Sequence, residues 1–266
     1  MAIRMNIQTI LKRIDDTKTL IDSQRPLAPE EVRELDAYFR VDTTYASNAL
    51  DGNALTLSET KVLLEDGLTV AGKPLRDCNE AVGHARAYDF MLEAARCEPF
   101  VFSEEIILEL HRLFYIGIEP DKAGTYRNHQ VFITGTEYIP PKADEVPTLM
   151  NDLVNTLSEI WNDLHPIRIA TFAHRKFVDI HPFADGNGRT ARLLMNLILI
   201  NEGYYIVSIP PVMRLEYFNS LRAAQRKKDP SDEAFIRLIA ECELEAQKDY
   251  CRMFHIKLPK NDDLTR

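Results

Sequence analysis

The chain has 266 residues, 45% of them hydrophobic and 27% charged, and its formal net charge at pH 7 is −9. That length can bury one sizeable core, in a single large domain or in a domain with an arm. The acidic balance excludes general binding to nucleic acid, because basic side chains that neutralise phosphates supply most of that affinity. No apolar run approaches the length of a membrane span, and the N-terminus lacks the pattern of a signal peptide. We therefore expect no nucleic-acid or membrane partner and a cytoplasmic location, in which the four scattered cysteines stay reduced.

In chain order, the sequence carries the signals of a mostly α-helical protein. Pro29 and the acids after it begin a helix that Gly52 ends. The string Thr56-Leu-Ser-Glu is a capping box for a short helix that Gly67 ends. Apolar periodicity predicts further helices over residues 76–96, from 103, over 147–165, 167–179 and 189–202, from about 211, and over about 231–254. The predicted organisation is a helical arm over 1–70, a core over 71–257 and a polar tail over 258–266.

Residues 124–141 break the helical pattern. β-Branched and aromatic residues cluster there around Gly135 and Thr136, and Pro140 and Pro141 follow. This composition predicts a short β-hairpin. An isolated hairpin is marginally stable, so within a helical domain it is either a structural clip or a mobile flap over a site. The residues themselves leave both interpretations open.

The segment from 181 to 192 reads HPFADGNGRTAR and is the most informative part of the chain. Its Gly-Asn-Gly turn leads into an apolar helical segment, and a glycine turn that begins a helix leaves backbone N–H groups available to an anion. Arg189 and Arg192 are three apart and so share one face of the first helical turn. Cations are normally disfavoured at that end of a helix, so the pair indicates a strongly negative ligand such as a polyphosphate.

Two further side chains in this segment fit a polyphosphate site. Asp185 can hold Mg²⁺ beside the phosphates, since magnesium needs only one or two protein carboxylates. His181 is the nearby group whose ordinary pKa lets it accept a proton near neutral pH. Each has a plain structural alternative: a turn or N-cap aspartate, a buried histidine beside a proline, and arginines paired with surface acids. The combination of residues at this spacing favours the functional interpretation.

The twelve residues resemble the signature of the Fic (filamentation-induced-by-cAMP) family, HPFx(D/E)GNGRxxR, at every constrained position. The resemblance implies a Fic-like helical domain that uses Mg²⁺ and ATP to transfer AMP to a hydroxyl side chain of a protein, with release of pyrophosphate. It implies that His181 is the catalytic base and that Asp185 holds the metal. The implied nucleotide-binding residues are Gly186, Asn187, Gly188, Arg189 and Arg192. Asn187 would donate its amide to the α-phosphate, and the arginines would neutralise the β- and γ-phosphates.

The predicted hairpin carries a second resemblance. Its string GTYR at 124–127, followed by Val131, Ile133 and Gly135, is similar to the Fic flap, which lies over the active site and holds the backbone of the target protein. The resemblance implies that Val131, Phe132 and Ile133 are target-binding residues. The edge of such a flap can bind an extended segment by main-chain pairing, which gives affinity without demanding one sequence.

A third resemblance lies upstream, where Ser47-Asn-Ala-Leu-Asp51-Gly52 is similar to the inhibitory motif (S/T)xxxE(G/N) of many Fic proteins. In those proteins the Glu pairs with the second signature arginine, here Arg192, and blocks productive ATP binding. The position implies the class with an N-terminal inhibitory helix, with Ser47, Asp51 and Gly52 as regulatory residues. Asp is one methylene shorter than Glu, so we expect its carboxylate to fall short by about one carbon–carbon bond unless the helix shifts, and inhibition to be weaker, water-mediated or absent. The alternative is that Asp51 only belongs to a helix-terminating turn.

Several functions stay open on this fold. The sequence predicts a protein adenylyltransferase. The alternatives are transfer from another nucleotide donor, removal of AMP from targets, and a non-catalytic nucleotide-binding regulator. The sequence does not identify the target protein, and the chain itself is one candidate. Relatives of this class often form dimers, so the resemblance also implies a possible homodimer.

Overall fold

A computed structural model describes residues 6–24, 27–226 and 228–258. Within these ranges the chain forms ten α-helices, three short 3₁₀ turns and no β-strand. The helices are α1 (Ile7–Asp22), α2 (Pro29–Leu50), α3 (Leu57–Glu65), α4 (Leu75–Ala95), α5 (Glu104–Tyr115), α6 (Val146–Ile160), α7 (Pro166–Ile180), α8 (Asn187–Asn201), α9 (Arg214–Ala224) and α10 (Glu233–Met253). The 3₁₀ turns are Pro120–Lys122, Ala143–Glu145 and Pro211–Met213. The predicted mostly α-helical fold is confirmed.

Helix α8 lies at the centre of this fold. It contacts α2, α4, α5 and α7, and its residues 189–199 are all buried. A helix that is buried on nearly every side is stable only where other elements surround it. The core therefore fixes the N-terminal end of α8 and the signature loop before it. Although α8 is buried, neither it nor another described helix is long and apolar enough to cross a bilayer.

The three helices of the predicted N-terminal arm, α1, α2 and α3, pack against the rest of the chain. Helix α1 lies along α10, where Ile10 and Ile14 join the main hydrophobic core. Gln247 of α10 donates a hydrogen bond of 3.1 Å to the carbonyl oxygen of Ile14. Helix α2 contacts α3, α4 and α8. This packing brings the C-terminal end of α2 against the first turn of α8.

Two helices begin and end where the sequence signals predict. Helix α2 begins at Pro29 and ends at Leu50, and Gly52 after it has a positive φ of 97°. At the start of α3, the Thr56 hydroxyl accepts from the Glu59 backbone N–H at 3.3 Å. The Glu59 carboxylate accepts from the Thr56 backbone N–H at 2.7 Å in return. The predicted capping box is thus confirmed.

The β-hairpin predicted at 124–141 is not confirmed, since these residues form no strand. Side chains bond to carbonyl oxygens of this segment: Gln130 Nε2 donates to Pro140 at 3.0 Å, and Arg127 Nη2 donates to Pro141 at 2.6 Å. In a β-ladder such carbonyl oxygens would accept from main-chain N–H groups, but here they accept from side chains. The flap, defined here as residues 124–141, is therefore an irregular loop.

Candidate active site

The signature loop joins α7 to α8 and has a left-handed residue at each end. His181 follows the last residue of α7 with φ 51° and ψ 58°, and its N–H donates to the Phe177 carbonyl oxygen at 2.9 Å. Gly186 precedes α8 with φ 79°. This backbone conformation costs little for glycine but is strained for histidine. Strained residues of this kind cluster at functional sites, where the surrounding structure holds them in place.

Asn187 and His111 brace this loop from inside. The Asn187 amide accepts from the Phe183 N–H at 2.9 Å and donates to the Phe183 carbonyl oxygen at 2.8 Å. The Phe183 ring stacks on the His111 imidazole with centroids 3.6 Å apart. His111 Nδ1 accepts the Gly124 N–H at 3.0 Å, so Nε2 carries the proton and donates to the Asp185 carbonyl oxygen at 3.1 Å. Nδ2 of Asn187 has a second hydrogen besides the one that it donates to Phe183. Donation of this second hydrogen to an α-phosphate stays a prediction.

His181 lines a cavity of about 590 Å³. Its Nδ1 lies 3.2 Å from the Val178 carbonyl oxygen, which can only accept. We therefore assign the ring proton to Nδ1 and the lone pair to Nε2. Burial lowers the pKa of His181 to about 4, and the positive charge of Arg127 also lowers it. The imidazole is thus neutral near pH 7 and can accept a proton at Nε2.

The N-terminal end of α8 and two buried arginines line the same cavity. Gly186 offers no capping side chain, so the first backbone N–H groups of α8 are left for another acceptor. Arg189 and Arg192 follow in the first turns, with only 5% and 3% of their surfaces exposed. Buried guanidinium groups are unfavourable unless negative groups neutralise them. The acids that neutralise them here are therefore the groups with which a phosphate would compete.

Arg192 is held by the end of α2. Its Nη2 donates to Asp51 Oδ2 at 2.7 Å and to the Ser47 carbonyl oxygen at 2.8 Å. Its Nε donates to the Ser47 hydroxyl at 2.8 Å, and its Nη1 donates to the Tyr217 hydroxyl at 3.2 Å. Ser47 and Asp51 thus contact this arginine directly, and Gly52 lines the same cavity.

Asp51 reaches Arg192 directly, so the shortfall expected for its shorter side chain does not occur. Asp51 caps the C-terminal end of α2, and its carboxylate lies against Gly188 in the first turn of α8. A Cβ atom built on Gly188 would lie only 3.2 and 3.3 Å from the two carboxylate oxygens. The absence of a side chain at Gly188 lets the helix ends come close enough to offset the missing methylene. The Asp51 carboxylate therefore lies at the predicted anion site.

Arg189 is held from α4 and α5. Its Nη1 lies 3.0 Å from Glu80 Oε2, and its guanidinium lies 4.6 Å from the centroid of the Phe114 ring. Two weaker contacts reach it, from Asp51 Oδ2 to Nε and from Asp185 Oδ1 to Nη2, at 3.5 and 3.4 Å. Each signature arginine thus has one close carboxylate, and the two carboxylates come from different helices.

Asp185 borders the cavity between α8 and α4. Its Oδ1 accepts the Gly186 backbone N–H at 2.6 Å. Its Oδ2 accepts from Arg76 Nη2 at 2.5 Å, and both side chains of this ion pair are about half exposed. The carboxylate thus lies beside the predicted phosphate site, in contact with a guanidinium that the sequence did not assign to the site.

The flap contributes Phe132 and Ile133 to the cavity lining, and Phe132 is 77% exposed. Val131, the third predicted target-binding residue, is half-buried. Arg222 of α9 holds the flap through a hydrogen bond of 3.0 Å from its Nε to the Gly135 carbonyl oxygen. The flap and the signature loop therefore border one cavity.

Arg127 connects the base of the flap to the signature loop, and the sequence did not single it out. Its backbone N–H donates to the Pro182 carbonyl oxygen at 2.9 Å, and its Nε donates to the His181 carbonyl oxygen at 2.8 Å. Its side chain is buried. The signal available in the sequence was its place in the GTYR string that resembles the Fic flap.

Sequence reasoning also missed Arg76, Glu80 and Tyr217. Arg76 and Glu80 are four residues apart on α4, a spacing typical of exposed ion pairs on a helix surface, so it did not indicate a site. Tyr217 carries no distinguishing signal, because an aromatic residue in a helix usually belongs to the core.

Known proteins resemble this chain in sequence and in fold. Residues 101–199 match the model of the Fic/DOC family. The chain is 35% identical over 248 residues to a protein adenylyltransferase Fic of Drosophila mojavensis, covering 87% of this chain and 48% of that relative. It is 38% identical over 208 residues to the protein of the same name from Drosophila grimshawi, covering 78% of this chain and 41% of that relative. The chain spans about half the length, or less, of these curated relatives.

Solved structures show the same fold over nearly the whole chain. A Fic-1 structure from C. elegans matches with a TM-score of 0.80 and 30% identity, covering 94% of this chain and 74% of that one. A Fic domain containing signaling protein from Bacteroides thetaiotaomicron matches with a TM-score of 0.80 and 27% identity, covering 90% and 95%. With the complete signature gathered around one cavity, these matches show that the chain belongs to the Fic/DOC family.

Proposed function

We propose that the chain is a protein adenylyltransferase, which transfers AMP from ATP to a hydroxyl side chain of a target protein. The observation that carries this proposal is the meeting of a proton acceptor and a positive site at one cavity. His181 offers Nε2, and Arg189 and Arg192 lie with the N-terminal end of α8 beside it. The name of the curated relatives, protein adenylyltransferase Fic, supports the same activity.

The reaction needs a base for the hydroxyl group and positive charge for the phosphates. Nε2 of His181 takes the hydroxyl proton while the hydroxyl oxygen bonds to the α-phosphorus. The bond from that phosphorus to the bridging oxygen breaks, and pyrophosphate leaves with the electron pair. Backbone N–H groups at the start of α8 stabilise charge on the α-phosphate, and Arg189 and Arg192 neutralise the departing pyrophosphate.

The residues around Asp185 fit a magnesium ion. Asp185 borders the phosphate site and is about half exposed, so solvent and phosphate oxygens can complete the coordination of an ion on its carboxylate. Arg76, which contacts it, is also about half exposed and has room to move into solvent. When bound, Mg²⁺ would add positive charge to the phosphate site.

The flap is proposed to hold the target protein. Its residue Ile133 and the base His181 line one cavity, so a target segment extended along the flap would bring a hydroxyl group to Nε2. The exposed ring of Phe132 offers the target an apolar contact. This arrangement requires a target chain that can extend, and it does not require one particular sequence.

We also propose that Asp51 inhibits the site. Its carboxylate neutralises Arg192 and lies at the start of α8, in the place proposed for ATP phosphates. ATP has to displace this carboxylate before its β- and γ-phosphates can reach the arginines. The direct contact supports inhibition by aspartate in the position where the family motif carries glutamate.

Removal of AMP from a modified target is a second candidate function. The Asp51 carboxylate favours it, because a carboxylate beside the anion site can orient a water towards the α-phosphorus. A target that already carries AMP tests this candidate. Loss of the AMP mass with the wild-type chain, but not with Asp51→Ala, would support removal.

Intact-protein mass spectrometry tests the adenylyl transfer. The chain is incubated with ATP and Mg²⁺, alone and with a protein extract, as wild type, Asp51→Ala and Asp51→Ala/His181→Ala. We expect the mass of AMP on the chain or on an extract protein with Asp51→Ala, and none with the double variant. His255→Asn is the control, because it removes an exposed histidine with a similar left-handed backbone, φ 53°.

Other outcomes would assign the site differently. Transfer by the variant without His181 would contradict its role as the base. Transfer from GTP, UTP or CTP in preference to ATP would assign another donor. An Asp51→Ala chain that binds ATP but labels no protein would support a non-catalytic regulator.

A further inference from the structure

We infer that Tyr217 and His174 form a positioning pair that holds Arg192 towards the phosphate site without the help of Asp51. The inference rests on the proposed function, because it concerns how the proposed phosphate ligand Arg192 is oriented. Tyr217 belongs to α9 and His174 to α7. Neither residue is part of the signature or of the inhibitory motif.

The Tyr217 hydroxyl lies between the other two side chains. It is 3.2 Å from Arg192 Nη1 and 2.9 Å from His174 Nε2. All three side chains are buried. The Arg192 guanidinium also lies 5.7 Å from the centroid of the Tyr217 ring. Tyr217 thus contacts the arginine with both its ring and its hydroxyl group.

The directions of the two hydrogen bonds follow from the groups involved. A guanidinium only donates, so the Tyr217 oxygen accepts from Arg192 and its own proton is left for His174. We therefore assign Nε2 of His174 as the acceptor and the ring proton to Nδ1, which has no hydrogen-bond partner among the described residues. Burial and the charge of Arg192 lower the pKa of His174 well below its ordinary value, which keeps the ring neutral, so one of its two nitrogens is free to accept. Arg192 thus donates to the Tyr217 hydroxyl, and that hydroxyl donates to His174.

The contact between Tyr217 and Arg192 does not involve α2, the helix that Asp51 caps. Ser47 and Asp51 of the α2 end bond to Nε and Nη2 of Arg192, whereas Tyr217 bonds to Nη1 from α9. When a phosphate displaces Asp51, the bond to Tyr217 can persist. A long side chain that is already oriented loses less entropy when it binds a ligand. The pair therefore orients Arg192 in advance for a β- or γ-phosphate.

Isothermal titration calorimetry of nucleotides tests this inference. The reference is full-length chain with Asp51→Ala/His181→Ala, in which Arg192 is released from the acid and transfer is blocked. Tyr217→Phe is added, which removes one hydroxyl group. We expect the Kd of magnesium–ATP to rise about tenfold, as for loss of a hydrogen bond to a charged group. The Kd of AMP should stay within about twofold, because AMP lacks the phosphates that Arg192 would bind.

Matched variants separate positioning from general packing. Tyr88→Phe is the control, because it removes a buried hydroxyl that has no hydrogen-bond partner among the described residues. It should leave both Kd values unchanged. His174→Gln retains an acceptor for the Tyr217 proton and should retain most of the ATP affinity. His174→Leu removes the acceptor and should behave like Tyr217→Phe.

Each contrary outcome has one meaning. If the reference binds ATP and Tyr217→Phe binds it equally well, the inference is wrong and the proposed function stands. If ATP and AMP weaken equally, Tyr217 has only a structural role and the inference is again wrong. If the reference binds no ATP, the proposed function is wrong and the inference falls with it.

Discussion

Arg76 Nη2 lies 2.5 Å from Asp185 Oδ2, so a guanidinium contacts the carboxylate that is proposed to hold magnesium. Glu80 orients this guanidinium, with its Oε1 3.2 Å from Arg76 Nε. A metal ion and a guanidinium compete for one oxygen, because both are positive and both need its lone pairs. The site therefore carries its own competitor for the metal.

Arg76→Gln is expected to strengthen metal binding at Asp185. Replacing a partly exposed ion-pair partner, worth up to about 1 kcal/mol, should lower the Kd of Mn²⁺ in the presence of ATP by about threefold. Electron paramagnetic resonance of Mn²⁺ with the His181→Ala chain measures this without turnover. Arg40→Gln, which breaks a two-bond pair with Asp89, is the control. Weaker Mn²⁺ binding by Arg76→Gln would mean that Arg76 helps to bind the phosphates.

Replacing Asp51 tests whether its charge inhibits the site. Asp51→Ala leaves Arg192 without its acid, so we expect the Kd of ATP to fall about tenfold and transfer to rise by a similar factor. Asp51→Asn retains an acceptor without the charge and should give an intermediate value. Asp66→Ala, at the exposed end of α3, is the control. Equal ATP affinity in wild type and Asp51→Ala would contradict autoinhibition.

Side chains from α4 hold the turn that follows Asp51. Asn53 Nδ2 donates to Glu80 Oε2 and to the Asp77 carbonyl oxygen, both at 3.0 Å. The Asp77 carboxylate accepts the Ala54 N–H at 2.8 Å. These bonds fix the position from which Asp51 reaches Arg192.

Asn53→Ala should therefore weaken inhibition without removing the inhibitory acid. We expect transfer to rise about threefold, in line with the loss of one or two hydrogen bonds that position Asp51. In Asp51→Ala the same substitution should have no effect, because the acid that it positions is absent. Transfer rates of the four proteins form a double-mutant cycle. Equal effects of Asn53→Ala in both backgrounds would contradict this role.

The pKa of His181 sets the pH range of the reaction. Burial lowers it from 6.5 to about 4, so the neutral base persists as pH falls through 6.5 and is lost only near pH 4. The negative charge of Asp51 raises this pKa, so Asp51→Ala does not move the loss to higher pH. We expect kcat/KM of that variant to stay level down to about pH 5. A fall of kcat/KM with a midpoint near pH 6.5 would show that His181 keeps its ordinary pKa in this variant.

Glu243 makes folding stability depend on pH. Burial raises its pKa from 4.5 to about 8, so the folded chain keeps a proton that the unfolded chain releases. Stability is therefore fullest below pH 4.5 for this group and falls as pH rises towards 8. Glu243→Gln should remove this fall, on the order of a few kcal/mol. Urea unfolding of both proteins at pH 5.5 and 8 measures the free energy of unfolding. An equal change in that free energy between the two pH values for both proteins would contradict the raised pKa of Glu243.

The signature spacing was sufficient to predict which of its residues meet. His181, Asp185, Arg189 and Arg192 line one cavity because a short loop and the first turns of one helix carry all four. Local geometry alone decides that arrangement. The predicted ends of α2 and the capping box of α3 follow for the same reason, since each depends on neighbours in the chain.

Contacts between distant segments could not be predicted in this way. The reach of Asp51 depends on how closely α2 approaches α8 at Gly188, and no spacing along the chain encodes that distance. The flap was predicted as a hairpin from β-forming residues. Its carbonyl oxygens instead accept from Gln130 and Arg127, and their orientation depends on the packed core.

The place of Asp51 at the end of its helix has a consequence for its release. The C-terminal end of α2 carries partial negative charge and repels a carboxylate, whereas the positive end of α8 attracts it. The attraction that holds Asp51 thus comes from across the contact between the two helices. A polyphosphate carries more negative charge and competes for the same positive end. Once it binds there, the dipole of α2 favours departure of the acid, so the charge of the ligand helps to expel the inhibitor.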